Sequence, residues 1–401
     1  MTTVTASTSP TIMPSTALRN NVLTRARRIV VKVGSQLLTD QRGEPDTRML
    51  RRIAHQLAAL VERGCEVTLV SSGAVAFGRK TMAIPRRPKD LSVLQAVAAV
   101  GQTRLMDRWH AAFKQHDLHA AQLLLTRGDF EDRVRYLNIR NCITELHSLG
   151  SIPVINENDA VSVDEMRLGD NDVLAAFVTN ALCADALVLL TVVDGLQDDD
   201  GNVIEVVEDV ASAQSFVGSH RSALGTGGMA TKLLAARMVT DAGEIAVVAN
   251  GRTKDILPRL LDGENVGTVF VPAARRLASR QRWIGGAVRP SGVIVIDDGA
   301  VRAVAEQNRS LLATGITEVV GNFEKGDVVV IRDSRGREIA RGLINYPADE
   351  ARAIMGKRSS QFEKLLGRRA YDEIVHRDNL VTAARDRLAT PDPTPNQMEP
   401  R

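Results

Sequence analysis

Four short clusters in this chain combine residue types that handle charge. The first is Lys32-Val33-Gly34-Ser35, which ends the apolar run starting at Arg28. A lysine there either snorkels from a strand end to solvent or sets a cation beside a loop whose glycine lets backbone N–H groups approach a phosphate. The second is Gly225-Thr226-Gly227-Gly228-Met229-Ala230-Thr231-Lys232, leading into the apolar-periodic stretch Leu233 to Val239. Three glycines ahead of a helix start offer an anion site, because unpaired N–H groups and the helix dipole both favour negative charge. The loop is not a P-loop, where Ser or Thr follows the lysine; here Thr231 precedes Lys232. Its loose likeness to the dinucleotide fingerprint lacks the preceding strand that this motif requires.

The third cluster is Asn156-Glu157-Asn158-Asp159 followed by Gly169-Asp170-Asn171-Asp172. Each tetrad alone reads as a turn. Two together, after the apolar Val154-Ile155, suit a site that holds an ammonium or a metal and positions a ligand through amide hydrogen bonds. The fourth, Ser71-Ser72-Gly73-Ala74, is either a plain turn or a hydroxyl and backbone cradle for a carboxylate. Two lysines on separate glycine loops with an acidic and amide cluster between them fit phosphoryl transfer to a nucleophile that is already anionic. Such a reaction needs no general base; it needs charge neutralisation and in-line positioning.

The elements that must hold these clusters follow from periodicity. Arg28 to Val33 reads as a buried strand that stops at Gly34-Ser35, and Thr47 to Arg63 as an amphipathic helix. Strands are expected at Glu66 to Val70, Ala120 to Leu125, Ile152 to Ile155, Ala186 to Leu190 and Glu244 to Val248, with helices such as Asn138 to Ser148 and Val173 to Leu182 between them. This alternation predicts an α/β domain, a mainly parallel open sheet sandwiched by helices, with its ligand crevice at the carboxyl ends of the strands. From Ser291 onward short β-branched runs alternate with turn signals such as Asp298-Gly299 and Arg335-Gly336, as in a small β-rich domain. The expected organisation is a disordered tail over 1–25, an α/β domain over 26–280, a β-rich domain over 281–376 and a second tail over 377–401.

Composition narrows the classes. A length of 401 residues suggests two folded domains. No stretch reaches the roughly 18 consecutive apolar residues of a membrane helix, so no membrane role is expected. Fifty-one basic against 48 acidic residues do not suggest a chain built to bind a polyanion. Cys65, Cys142 and Cys183 are odd in number and far apart, which reads as reduced thiols in a cytoplasmic protein. The hydroxyl-rich, acid-free start, with Arg19 and Arg25, reads as a tail, with an organelle transit peptide as the alternative.

At these residues the sequence resembles the glutamate 5-kinases of the amino-acid kinase family. The resemblance spans roughly Arg28 to Asn379 and rests on the four clusters, on Gln95-Ala96-Val97-Ala98-Ala99-Val100-Gly101-Gln102, and on their common order. It implies that Lys32 and Lys232 contact ATP phosphates, with Thr191, Val192, Thr226, Gly227, Gly228, Met229, Ala230 and Thr231 on the nucleotide side. Ser72, Asp159 and Asn171 would hold glutamate, Asp159 through the α-ammonium group. Asp170 and Asp172 would organise the lysines or a magnesium ion, with Lys32, Lys232 and Asp170 as the catalytic set; the metal ligands are left open. Ser291 to Ala370 resembles a PUA domain, a module that often binds RNA, although its basic and acidic residues nearly balance. The resemblance further implies a homo-oligomer and feedback inhibition by proline, in which Thr126 to Arg133 would take part.

The chain departs from the family at Leu190-Thr191-Val192-Val193-Asp194-Gly195-Leu196-Gln197, where such kinases read Leu-Thr-Asp-x-x-Gly-Leu-Tyr. Valine at 192 can neither orient a lysine nor accept a hydrogen bond from a nucleotide hydroxyl. The competing readings are a kinase for another carboxylate and an RNA-binding protein with an impaired kinase domain.

Overall fold

The computed structural model describes residues 23–161, 170–210, 212–213, 228–272, 283–367 and 371–382, without the side chains of 170, 286, 287 and 378. It divides into two units. Met1–Leu125 and Cys142–Ala273 form the first; Thr126–Asn141 and Ala274–Arg401 form the second.

In chain order the first unit begins with β1 (Arg28–Val33), α1 (Thr47–Glu62), β2 (Glu66–Ser71), α2 (Ala74–Thr81), α3 (Leu91–Phe113) and β3 (His119–Leu125). Then come α4 (Arg127–Glu131), α5 (Arg133–Ser148), β4 (Ser151–Glu157), α6 (Asp170–Leu182), β5 (Ala186–Thr191) and β6 (Val206–Val207). The α/β region closes with α7 (Met229–Thr240), β7 (Ile245–Asn250), α8 (Ile256–Leu261) and β8 (Thr268–Phe270). The strands form one sheet in the order β3-β4-β2-β1-β5-β7-β8-β6. It is parallel from β3 to β7, and β8 runs antiparallel to β7. The expected mainly parallel sheet is therefore what the chain forms.

Central strands are buried along nearly their whole length because both sheet faces are covered, which is why β1, β2 and β5 are predominantly apolar runs instead of alternating ones. Local signals set the edges of these elements. Asp46 caps α1 by accepting from the Arg48 and Met49 amides, and Asp185 accepts from the amides of Arg27 and Arg28 where β1 begins. Helix α3 carries no such periodic mark. Its buried positions include Ala98, Gly101, Gln102 and Ala112 beside Val97, Leu105 and Trp109, so small and polar residues interrupt the apolar stripe. Those small residues let it pack tightly on α2. A Cβ on Gly101 would lie 1.8 Å from the Ala74 carbonyl oxygen, and one on Gly78 would lie 1.8 Å from that of Val97.

The second unit holds the five-stranded sheet β10-β9-β11-β12-β13, formed by β9 (Gly292–Ile296), β10 (Ile316–Gly321), β11 (Val328–Asp333), β12 (Glu338–Leu343) and β13 (Leu380–Thr382). Among the described residues of this sheet, β9 and β11 pair in parallel and the other pairs are antiparallel. This is the expected β-rich domain, and β13 carries its sheet past the expected end at residue 376. The unit also includes α4 and the start of α5. There Trp283 Nε1 donates to the Phe130 carbonyl at 3.0 Å, and the Arg133 guanidinium lies 5.2 Å from the Trp283 ring centroid and 5.4 Å from that of Tyr136.

Candidate active site

The carboxyl edge of the first sheet gathers most of the chemical residues. Lys32 sits near the end of β1, 7% exposed, and Lys232 lies in the first turn of α7, 6% exposed. Helix α7 thus starts at Met229, before the expected Leu233, so Lys232 is a buried helical residue and not part of an open loop. Between the two ammonium groups is Asp172, from the first turn of α6 and fully buried. Lys32 Nζ is 2.6 Å from Asp172 Oδ1, and Lys232 Nζ is 3.1 Å from Oδ2. Thr231 Oγ1 donates to Oδ2 at 2.8 Å.

Burial by itself would raise the Asp172 pKa. The two lysines and the Thr231 hydroxyl more than offset it, so the carboxyl titrates below the ordinary range. Lys232 moves the other way: burial lowers its pKa, and Asp172 only partly restores it against the second cation at Lys32. Among the described side chains, two ammonium groups thus share the Asp172 carboxylate in a buried space. At the N-terminus of α7, the cap residue Gly228 is extended and makes no side-chain cap, so the first amides of the helix are not satisfied in that way. Gly34, after β1, has a negative φ and room for a side chain, with the Leu190 oxygen 3.5 Å and Lys32 Nζ 3.8 Å from a built Cβ. The fold does not demand glycine there.

A second, uncharged group lies nearby in the sheet order. Ser72 follows β2, and its amide donates to the Val33 carbonyl at 3.1 Å, continuing the β1 and β2 pairing. Asn171 Nδ2 donates to Ser72 Oγ and to Asn156 Oδ1, both at 2.9 Å, and Asn156 Nδ2 donates to Gln102 Oε1 at 2.8 Å. Asn171 Oδ1 and Gln102 Nε2 are buried without a hydrogen-bond partner among the described residues. Asp159, beyond β4, is pushed to a raised pKa by burial, which the Arg87 charge only partly counters. A desolvated carboxylate of this kind gains from a cation brought by a ligand.

On the other side, Thr191 ends β5, paired with Asn250. Val192 packs against the apolar core, so the family's aspartate position is here part of the packing. Asp194 accepts from Asn250 Nδ2 at 2.9 Å. Both line a cavity of about 250 Å³ with Glu205, Thr253 and Asn265. This cavity lies off the ends of β5 and β7, and not at the lysines, of which Lys32 sits on the neighbouring β1 and Lys232 on α7.

The structure thus brings Lys32, Lys232 and Thr231 together and, separately, Ser72 and Asn171. Thr226 and Gly227 lie outside the described residues, as does the side chain of Asp170. The charged centre uses Asp172, whereas the expected catalytic set named its neighbour Asp170. Gln102 and Asn156 were visible only as members of quoted motifs.

A model of the amino acid kinase family matches residues 27–250. The chain belongs to the amino acid kinase family. A PUA domain model matches 292–366 of this kinase-family chain, within the second unit. Glutamate 5-kinase of Chromohalobacter salexigens is 45% identical over 373 residues, covering 92% of this chain and 99% of that protein. The glutamate 5-kinase of Methylibium petroleiphilum is 46% identical over 371 residues, covering 91% and 100% respectively. That of Pseudomonas entomophila is 45% identical over 366 residues, 90% and 98%. Among solved structures, UMP kinase from Bacillus anthracis gives a TM-score of 0.44 at 17% identity over 62% of this chain and 97% of that one.

Proposed function

We propose that this chain transfers the terminal phosphoryl group of ATP to the side-chain carboxylate of glutamate, forming γ-glutamyl phosphate, the first step toward proline. The observation that carries the reading is the buried triad in which Asp172 holds the ammonium groups of Lys32 and Lys232 side by side. The names of the relatives supply the acceptor.

In the transfer, the γ-carboxylate oxygen attacks the terminal phosphorus and the bond to the β,γ-bridging oxygen breaks, leaving ADP. Negative charge grows on the equatorial and leaving oxygens, where two preorganised ammonium groups stabilise it without reorganisation. Asp172 aims the lysines through its two ion pairs. Ser72, Asn171 and Asp159 orient the amino acid, Asp159 against its ammonium group. The cavity beside Asp194 and Asn250 is the proposed seat of the nucleoside, two strands from Lys32 along the same edge.

Magnesium would arrive with ATP, held by phosphate oxygens, and would neutralise phosphate charge. Asp172 is unsuited as its ligand because Lys32, Lys232 and Thr231 already occupy its oxygens. No group of three or more His, Cys, Asp or Glu side chains converges among the described residues to form a protein cage.

Proline inhibition is proposed to involve Thr126 to Arg133. The charges there are already organised: Asp129 Oδ2 accepts from the Thr126 amide and hydroxyl, both at 2.8 Å, and Arg127 pairs with Glu131 at 3.0 Å. A homo-oligomer and a cytoplasmic location belong to the same proposal. No described helix is long and apolar enough to cross a membrane. RNA binding by the PUA-like unit gains no support from its nearly balanced charge.

The test is a hydroxamate assay with glutamate, ATP and magnesium, set against aspartate, acetylglutamate and carbamate. Glutamate-dependent hydroxamate is expected. Turnover with another acceptor alone, or RNA retention without ATP turnover, would overturn the reading.

A further inference from the structure

The amide groups of Gln102, Asn156 and Asn171 form a chain with a direction. Asn171 gives both Nδ2 hydrogens away, to Ser72 Oγ and Asn156 Oδ1; Asn156 gives one to Gln102 Oε1. A directed chain must end in one spare acceptor and one spare donor. Within this chain of amides these are Asn171 Oδ1 and Gln102 Nε2, both buried and without a hydrogen-bond partner among the described residues. If Asn156 turned over, its Nδ2 would meet Asn171 Nδ2, so the three amides can reverse only together.

We infer that Gln102 is a positioning residue for the acceptor amino acid: by presenting Oε1 to Asn156 it keeps Asn171 turned with Oδ1 as the spare group. An oxygen accepts from an ammonium group, whereas the reversed amide would point N–H at it. This rests on the proposed reading that Asn171 holds the amino-acid substrate.

The support of Gln102 suits such a role. Its neighbour Gly101 touches the α2 backbone so closely that no side chain fits. About two turns further along α3, Trp109 Nε1 donates to Ser71 Oγ at 2.9 Å, tying the helix to the strand end that carries Ser72. Helix α3 is thus fastened on both sides of the amide it contributes, and Gln102 itself is 7% exposed.

The test compares Gln102→Met, which keeps the length but offers no acceptor, with Gln102→Glu, which keeps an acceptor oxygen toward Asn156. Steady-state constants are measured for glutamate and ATP separately, with thermal melts. For Gln102→Met the glutamate KM should rise about 10- to 100-fold, the scale of one misdirected hydrogen bond to a charged group, while the KM for ATP stays within about twofold. Gln102→Glu should recover most of the loss. A general structural defect would move both KM values together and would not be rescued by glutamate at 102. The inference is overturned if the glutamate KM of Gln102→Met is unchanged, if both KM values rise alike, or if Gln102→Glu is as poor as Gln102→Met. If Gln102→Met does not fold, Gln102→Ala carries the same expectation and the same refutation. Inactivity of the unmodified chain with glutamate would instead count against the proposed function.

Discussion

Replacing Asp172 with asparagine keeps the shape of the buried triad and removes only its negative charge. At 2.6 and 3.1 Å, and an effective dielectric of about 20, the attractions lost amount to about 6 and about 5 kcal/mol. Much of this gross value is offset because the fold no longer has to desolvate a carboxylate. Breaking a buried pair from one side leaves a net cost of about 3 to 5 kcal/mol, a large part of the stability of an ordinary domain. The relief available to the variant is loss of a lysine proton, and Lys232, whose pKa burial already lowers, is the group to lose it. A lysine with a depressed folded pKa binds fewer protons folded than unfolded, so stability rises with pH through that folded pKa. The gap between variant and parent should therefore narrow as pH is raised, and adding ATP should stabilise the variant more than the parent because phosphate replaces the lost charge. Urea unfolding across a pH series, with and without ATP, reads all three effects. A variant within about 1 kcal/mol of the parent at neutral pH, with no pH trend, would refute the account of Asp172 as the charge that holds the two lysines.

Lys232→Ala should lower turnover at least about 100-fold, the scale for one preorganised contact to transition-state charge; a hydroxamate rate like the parent's, in a protein that melts normally, would remove its assigned role. Val192→Asp should lower the KM for ATP or raise turnover by the equivalent of at most about 1.5 to 3 kcal/mol; loss of activity would mean that the nucleotide side is built on Asp194 and the valine packing instead. The Asp159 pKa is raised in the fold, so the ionised form carries a penalty that appears as pH rises through that pKa. Asp159→Asn should accordingly be more stable without ligand at neutral pH yet have a higher glutamate KM, and the rise of KM in mild acid expected of the parent should flatten; an unchanged KM profile would contradict the ammonium contact. Proline should inhibit competitively with glutamate, and Asp129→Asn, which disturbs the cap at Thr126, should weaken that inhibition; no inhibition at high proline removes the regulatory proposal, and equal inhibition in the variant removes this segment from it.

The amino-acid sequence by itself determined the parallel sheet, because β1, β2, β4, β5 and β7 have cores of β-branched and apolar residues and are separated by helix-period stretches. It also placed the glycine, hydroxyl and amide clusters at strand ends, where loops face a ligand. Val192 was visible as a departure, although its packing against the core was not. Only the tertiary structure chose Asp172 for the charged centre, joined Thr126–Asn141 to the second unit and linked Gln102 to the substrate side. The partners in that amide chain are 99, 54 and 15 residues apart. Periodicity records which face of an element is buried, since burial acts on every residue of that face. Which buried polar group meets which depends on the crossing of whole elements, here the backbone contact at Gly78 and Gly101, and a one-dimensional pattern carries no record of that distance.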